Sequence, residues 1–169
     1  AVTHMWGNVV DLKSIKKICH DNNLKLIEDA SHAHGSEYNG RKIGTFGDIA
    51  CFSLQAAKAV AAGEAGIIVT NDDNYYDNIL ALGHYGRITR HKKTDTYDQL
   101  NDIGLGFKFR AHPLAMGLAR VRLKKLDLLN DLRRKYFYNM DKIISGFDKF
   151  KTISTYQNEN IKRGGLIGY

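Results

Sequence analysis

The sequence predicts an α/β layer built on a largely parallel, buried sheet, and three observations carry that expectation. Helical segments alternate with short, nearly all-apolar strand-like segments through the first half of the chain. Asn39-Gly40 separates two strand-like pieces within "EYNGRKIGTFGD", which is the signal of a hairpin. From Pro113 onward, helical periodicity is sustained for longer than one ordinary helix.

The elements follow in order. "VVDLKSIKKICHDNN" places Leu12, Ile15, Ile18 and Cys19 at helical spacing and ends in an asparagine pair suited to a helix stop. "LKLIED" reads as a short strand, followed by the Asn39-Gly40 hairpin. "DIACFSL" and "AGIIVTND" are two further strands, and "NYYDNILALGHYGR" is a helix. Residues 87–105 are polar and irregular, a long loop of the length associated with a lid or a subunit contact. "PLAMGLARVRLKKLDLLNDLRRKYFYNMDKIISGF" predicts one long or kinked helix, or two in succession. Pro113 sits in the first turn, where its missing N–H costs nothing.

Composition narrows the class. With 169 residues, 43% hydrophobic and 25% charged, the chain is ordinary for a soluble globular domain. It holds no run of eighteen apolar residues, and "AVTHMWGNVVDLK" lacks a basic n-region, so the expectation is a cytoplasmic protein without membrane contact. Cys19 and Cys51 have no metal-ligand spacing and read as core filler, so no metal is expected. The charge of +7, from 25 Lys+Arg against 18 Asp+Glu, suits an anionic partner such as a phosphorylated small molecule. Much of it lies in "RVRLKKLDLLNDLRRKY", where interleaved Val121, Leu123, Leu126, Leu128 and Leu129 make the cations the wet side of an amphipathic helix. Without a recognised binding motif, that charge does not predict nucleic-acid binding.

Ligands in open α/β sheets sit beyond the carboxyl ends of the strands. Three such ends stand out: Glu28-Asp29, Ser53 and Thr70-Asn71. In "FSLQAAKAVAAGEAG", Lys58 has no charged neighbour for several residues, and partial desolvation would lower its pKa towards a usable nucleophile for Schiff-base chemistry. Asp29, at a buried strand end, is suited to facing a pyridine nitrogen and keeping it protonated. A strand-end acid, a later lysine and the Ser53 hydroxyl between them point to pyridoxal phosphate. Each position also has a plainer use. Asp29 is equally suited to capping a helix, Ser53 to filling a strand position, and His32 or neighbouring His34 to a structural hydrogen bond.

"IEDASHAHGSEYNGRKIGTFGDIACFSLQAAKAVAAGEAGIIVTND" resembles the DegT family of sugar aminotransferases, fold-type I pyridoxal-phosphate enzymes that aminate keto-sugars, usually nucleotide-linked ones. The match runs through an acidic pair, a Gln or His position and Gly, then Gly-Asp, an aromatic-Ser step, the lysine, and a strand ending in Thr-Asn-Asp. It extends upstream to "HMWGN" and downstream to "GFKFRAHPLAMGLARVRLKKLDLLNDLRRKY". The resemblance implies a three-layer, aspartate-aminotransferase-like large domain with a mostly parallel sheet, represented in part by residues 1–115. Residues 116–169 would then be a long connecting helix and the start of a small C-terminal domain. Family members are more than twice this long, which implies that the chain is a fragment.

The family's roles then fall on this sequence by position. Lys58 would be the Schiff-base lysine that moves a proton between donor and cofactor, and Asp29 would hold the pyridinium nitrogen. His32 would lie near the ring and its 3-oxygen, and Ser53 would bind the phosphate. Two departures stand out: Ala57 occupies a position where one subgroup has Ser or Thr, and Lys108 in "GFKFR" replaces an Asn that reaches the phosphate of a neighbouring subunit. A lysine can serve a phosphate as a point charge.

The implied partners are a nucleotide-linked keto-sugar, glutamate or glutamine as amino donor, and a second copy in a homodimer with shared sites. Two alternatives stand beside this reading. One is a pyridoxal-phosphate sugar dehydratase of the same fold, although the family's dehydratases carry His at the lysine position. The other is a non-catalytic fragment or basic binding module.

Overall fold

The computed structural model describes residues 1–83, 91–101, 107–150 and 160–165. The elements in chain order are β1 (Val2–Thr3), a single 3-10 turn (Met5–Gly7), α1 (Leu12–Asp21), β2 (Ile27–Asp29), β3 (Glu37–Tyr38), β4 (Arg41–Lys42), β5 (Ile49–Ser53), β6 (Gly66–Val69), α2 (Asp73–Gly83), α3 (Thr96–Asn101), α4 (Pro113–Lys124), α5 (Leu126–Ile144) and β7 (Ile161–Lys162).

The main sheet runs β1-β2-β5-β6. β1, β2 and β5 pair in parallel, whereas β6 returns antiparallel, with Ser53 opposite Gly66 and Ala50 opposite Val69. This corrects one expectation: Thr70 lies at the far end of the sheet from Asp29 and Ser53, where its hydroxyl donates to the Asp48 carbonyl at 2.8 Å. The residue beside Ser53 is Gly66. Strand direction is what the sequence conceals, because an apolar run reads the same in either sense.

α1 begins where Asp11 accepts from the Ser14 N–H and hydroxyl, at 3.2 and 2.6 Å. It ends at Asn22, and Asn23 takes the left-handed conformation (φ 52) that asparagine tolerates. The hairpin forms as expected: β3 and β4 pair antiparallel across Asn39 (φ 51) and Gly40 (φ 73), the positive pair a two-residue turn requires. β7 pairs on the other side of β3 and closes a small three-stranded sheet.

Residues 87–105, expected as one irregular loop, lie partly outside the described residues, and within them α3 forms. Its foundation is Asp77 of α2, fully buried, which accepts from the Lys93 N–H at 2.9 Å and from the Thr94 N–H and hydroxyl at 2.6 Å. The long helical stretch is two helices broken at Lys125, with His112 capping α4 through its ring nitrogen and Pro113 in the first turn.

The core has two centres. Leu12, Ala30, Ala33 and Ile43 pack with Phe46 and Phe52 between α1 and the sheet. Leu54, Ala59, Val60 and Ala62 pack against Ala119 and Leu126 of the paired helices. The small residues that follow Lys58 are therefore helix contacts. They let the backbone pass close beneath α4 and α5 while the lysine itself is half-buried. Of the apolar positions expected to bury α1, Leu12 is fully enclosed and Ile18 is exposed.

Candidate active site

Strand alternation sends Glu28 and Asp29 of β2 to opposite faces of the sheet. Glu28 is fully buried and accepts from the backbone N–H groups of Gly44, Phe46 and Gly47 at 3.0, 2.7 and 2.6 Å, with His4 Nε2 at 3.2 Å. Burial raises its pKa, but the hydrogen bonds from His4 and the three amides outweigh that effect and hold it below the ordinary carboxylate value. Glu28 thus anchors the loop 44–47 to β2, the strand that carries Asp29. Sequence reasoning singled out the acidic pair without seeing this role, because the four donors come from residues 16 to 24 positions away.

Asp29 caps a turn rather than a helix: its Oδ1 accepts from the Ser31 N–H at 3.0 Å. The Ser31 hydroxyl first, then the Ser31 N–H and the nearby Lys58 charge, outweigh burial and keep its carboxyl below the ordinary value, so it is ionised at neutral pH. His32 is half-buried, and its Nδ1 accepts from the Trp6 N–H at 3.4 Å, which leaves Nε2 as the protonated nitrogen of the neutral ring. Burial first and the Lys58 charge second push His32 below its ordinary value, with Asp29 pulling the other way.

His34, the other candidate at this turn, is a core residue. It is 5% exposed and packs against Phe52 with ring centroids 5.4 Å apart, and neither ring nitrogen has a hydrogen-bond partner among the described residues. Burial pushes its pKa down to about 4. The Ser53 backbone, close by without closing a bond of good geometry, offsets this only in part. His34 is therefore neutral, and His32 is the histidine whose charge is coupled to Asp29 and Lys58.

Lys58 ends a turn whose backbone is set by its own N–H donating to the Gln55 carbonyl at 2.8 Å. Gln55 Oε1 accepts from the Ala57 N–H at 2.8 Å, and Ser53 Oγ accepts from the Gln55 N–H at 3.3 Å. Ser53 therefore shapes the lysine turn with its lone pair and keeps its own proton to donate. Cys51, opposite Asp29 in the β2–β5 register, has its thiol pushed up by burial and by the Asp29 charge. Lys108 stands on a different segment. The rings of Phe107 and Phe109 stack at 5.0 Å, the Phe109 N–H donates to the Gly83 carbonyl at 2.9 Å, and alternation turns Lys108 away from those rings.

An ionised strand-end carboxylate, a neutral imidazole and a half-buried amine, all within electrostatic reach of one another, fit the polar groups of pyridoxal phosphate. The acid matches the ring nitrogen, the imidazole the ring oxygen, the amine the aldehyde and the Ser53 hydroxyl the phosphate. Among the described residues, no cluster of His, Cys, Asp and Glu suits a metal ion.

Comparison with known proteins finds aminotransferases. The chain is 33% identical over 132 residues to a putative L-glutamine:3-amino-2,3-dideoxy-scyllo-inosose aminotransferase of Micromonospora echinospora, covering 78% of this chain and 30% of that one. It is 33% identical over 153 residues to a UDP-4-amino-4,6-dideoxy-N-acetyl-beta-L-altrosamine transaminase of Campylobacter jejuni, covering 90% and 39%. Among solved structures, 3-amino-5-hydroxybenzoic acid synthase superimposes with a TM-score of 0.75 at 27% identity, covering 86% of this chain and 37% of that one. The chain thus spans about a third of the length of the curated relatives it matches. The model of the DegT/DnrJ/EryC1/StrS aminotransferase family matches residues 1–165, and the chain belongs to that family of pyridoxal-phosphate enzymes.

Proposed function

We propose that this chain carries the lysine-bearing part of the active site of an aminotransferase that moves an amino group from glutamate or glutamine to a nucleotide-linked keto-sugar. The observation that carries the reading is the electrostatic grouping of ionised Asp29, neutral His32 and Lys58 at one end of the parallel strands. Bound pyridoxal phosphate would supply an electron sink for the pair left behind when a proton leaves the donor's α-carbon. Asp29 keeps a proton on the ring nitrogen by presenting a carboxylate already ionised at neutral pH. His32, with its Nε2–H available, orients the ring through its oxygen. Lys58 Nζ would take the α-proton and deliver it to the carbon of the cofactor that carries the aldehyde. Ser53 Oγ would hold the phosphate, and Lys108 Nζ would reach the phosphate bound by the second copy of the homodimer.

Division near residues 115–116 into a large domain and the start of a small one, a homodimer with shared sites, and a cytoplasmic location belong to the same proposal. Leu114, Leu118 and Val121 of α4 and Ile67, Ile68 and Val69 of β6 are exposed, which supports further protein surface lying against this chain. Among the described residues, no helix is long and apolar enough to cross a membrane.

The test is borohydride reduction of the protein with added pyridoxal phosphate, followed by mass spectrometry of the peptide that contains Lys58. A reduced adduct on Lys58 supports the reading. An adduct spread over other lysines, with none on Lys58, overturns it.

A further inference from the structure

A cleft of about 270 Å³ opens between α5 and β7, and none of its lining residues belongs to the Lys58 group. One wall is Arg163, 3% exposed, whose guanidinium lies 4.4 Å over the Phe137 ring and donates from Nη2 to the Trp6 carbonyl at 3.1 Å. The Arg163 carbonyl accepts from Arg134 at 2.6 Å, so backbone and side chain are both held. Two of its donors, Nε and Nη1, nevertheless have no partner among the described residues. Across the cleft, the Oδ1 of Asp141 on α5 is also buried without a partner. Asp141 lies close enough to pull the Arg163 pKa upward against burial, yet no ion pair joins the two.

Unpaired buried charges are costly, and two of opposite sign in one cleft would close on each other if the backbone allowed. Here Arg163 is fixed by Trp6 and Phe137 and Asp141 by its helix. A group that satisfies both must accept hydrogen bonds at one end and donate them at the other. Arg134 does not serve, since Asp131 and the Arg163 carbonyl already engage it. The cleft has room for roughly nine waters at about 30 Å³ each, which suits a small organic molecule. We infer that it binds a small zwitterion of the α-amino-acid class, with the carboxylate on the free donors of Arg163 and the ammonium on Asp141 Oδ1. Tyr138 and Ile161 flank the space left for a short side chain. The inference does not rest on the proposed reaction.

The structure also supplies a reporter. Trp6 is the single tryptophan, and its carbonyl is the acceptor that holds Arg163. The experiment is calorimetric titration of the chain without cofactor, alongside Trp6 fluorescence, using L-alanine as probe and its two half-molecules, propionate and ethylammonium, as controls. L-alanine is expected to bind saturably and at least about tenfold more tightly than either half. Asp141→Asn, of unchanged shape, should reduce L-alanine to the affinity of propionate. Arg163→Lys should weaken L-alanine and propionate together. Lys58→Ala should change nothing, which separates this cleft from the Lys58 site. Binding no tighter than propionate, indifference to Asp141→Asn, or loss in Lys58→Ala would each overturn the inference.

Discussion

His34→Phe tests the electrostatics of the site's floor. The native ring is neutral when folded because burial depresses its pKa to about 4 from the ordinary 6.5, with the charges of Lys58, His32 and Arg133 acting in the same direction. The folded state therefore binds fewer protons than the unfolded chain between those values. Stability is complete above about pH 6.5 and erodes as pH falls towards 4. At pH 5 the unfolded histidine lies 1.5 units below its own pKa, which at about 1.4 kcal/mol per unit costs roughly 2 kcal/mol. Phenylalanine can keep the packing against Phe52 and removes two ring nitrogens that have no partner. The variant should match or exceed the native chain at pH 7.5 and lose about 2 kcal/mol less on going to pH 5. Urea unfolding followed by Trp6 fluorescence at pH 7.5, 6 and 5 reads this directly, provided the slope m is unchanged. Parallel losses in both proteins between pH 7.5 and 5 would refute the argument.

Glu28→Gln keeps an acceptor for Phe46 and Gly47 but turns an amide N–H₂ towards the Gly44 N–H, and should cost about 2–3 kcal/mol at neutral pH by urea unfolding. Because the native Glu28 pKa is depressed, its contribution is present above the ordinary carboxylate value and is lost as pH falls below about 4, so the cost of the substitution should shrink there. Gly165→Ala places a Cβ 2.3 Å from the His32 carbonyl oxygen at φ +79, and should lower stability by about 3 kcal/mol in thermal or urea melts. If the proposed function holds, Lys58→Ala should abolish the absorbance band that added pyridoxal phosphate gives with the native chain, read by spectrophotometric titration.

What the sequence disclosed and what it hid divide along sequence separation. The Asn39-Gly40 hairpin, the asparagine stop after α1 and the helix start at Pro113 are local events, governed by residues within a turn of one another, and they could be read directly. Asp29, His32, Ser53 and Lys58 were legible as a spaced pattern, and the structure couples the charges of Asp29, His32 and Lys58. The antiparallel sense of β6 was not legible, because its apolar run carries no direction. α3 was concealed because Asp77 organises it from 16 and 17 residues upstream. The four-donor cradle of Glu28 and the burial of Arg163 depend on contacts that no window of sequence contains.

The junction beneath the His32 turn bears on how this chain acquires its shape during synthesis. Ser36 shares its hydroxyl between the carbonyls of Gly7 and Gly164 and accepts the Gly164 N–H at 2.8 Å, across 128 residues. Asn130 ties the His34 carbonyl to the Gly165 N–H at 2.9 and 3.0 Å. A turn seated on such late-arriving residues cannot settle while the ribosome is still making α5, and closing so long a loop is slow. The sheet must wait, with its apolar face open, for Gly164 and Gly165 to emerge, and that interval is when a chaperone would matter most.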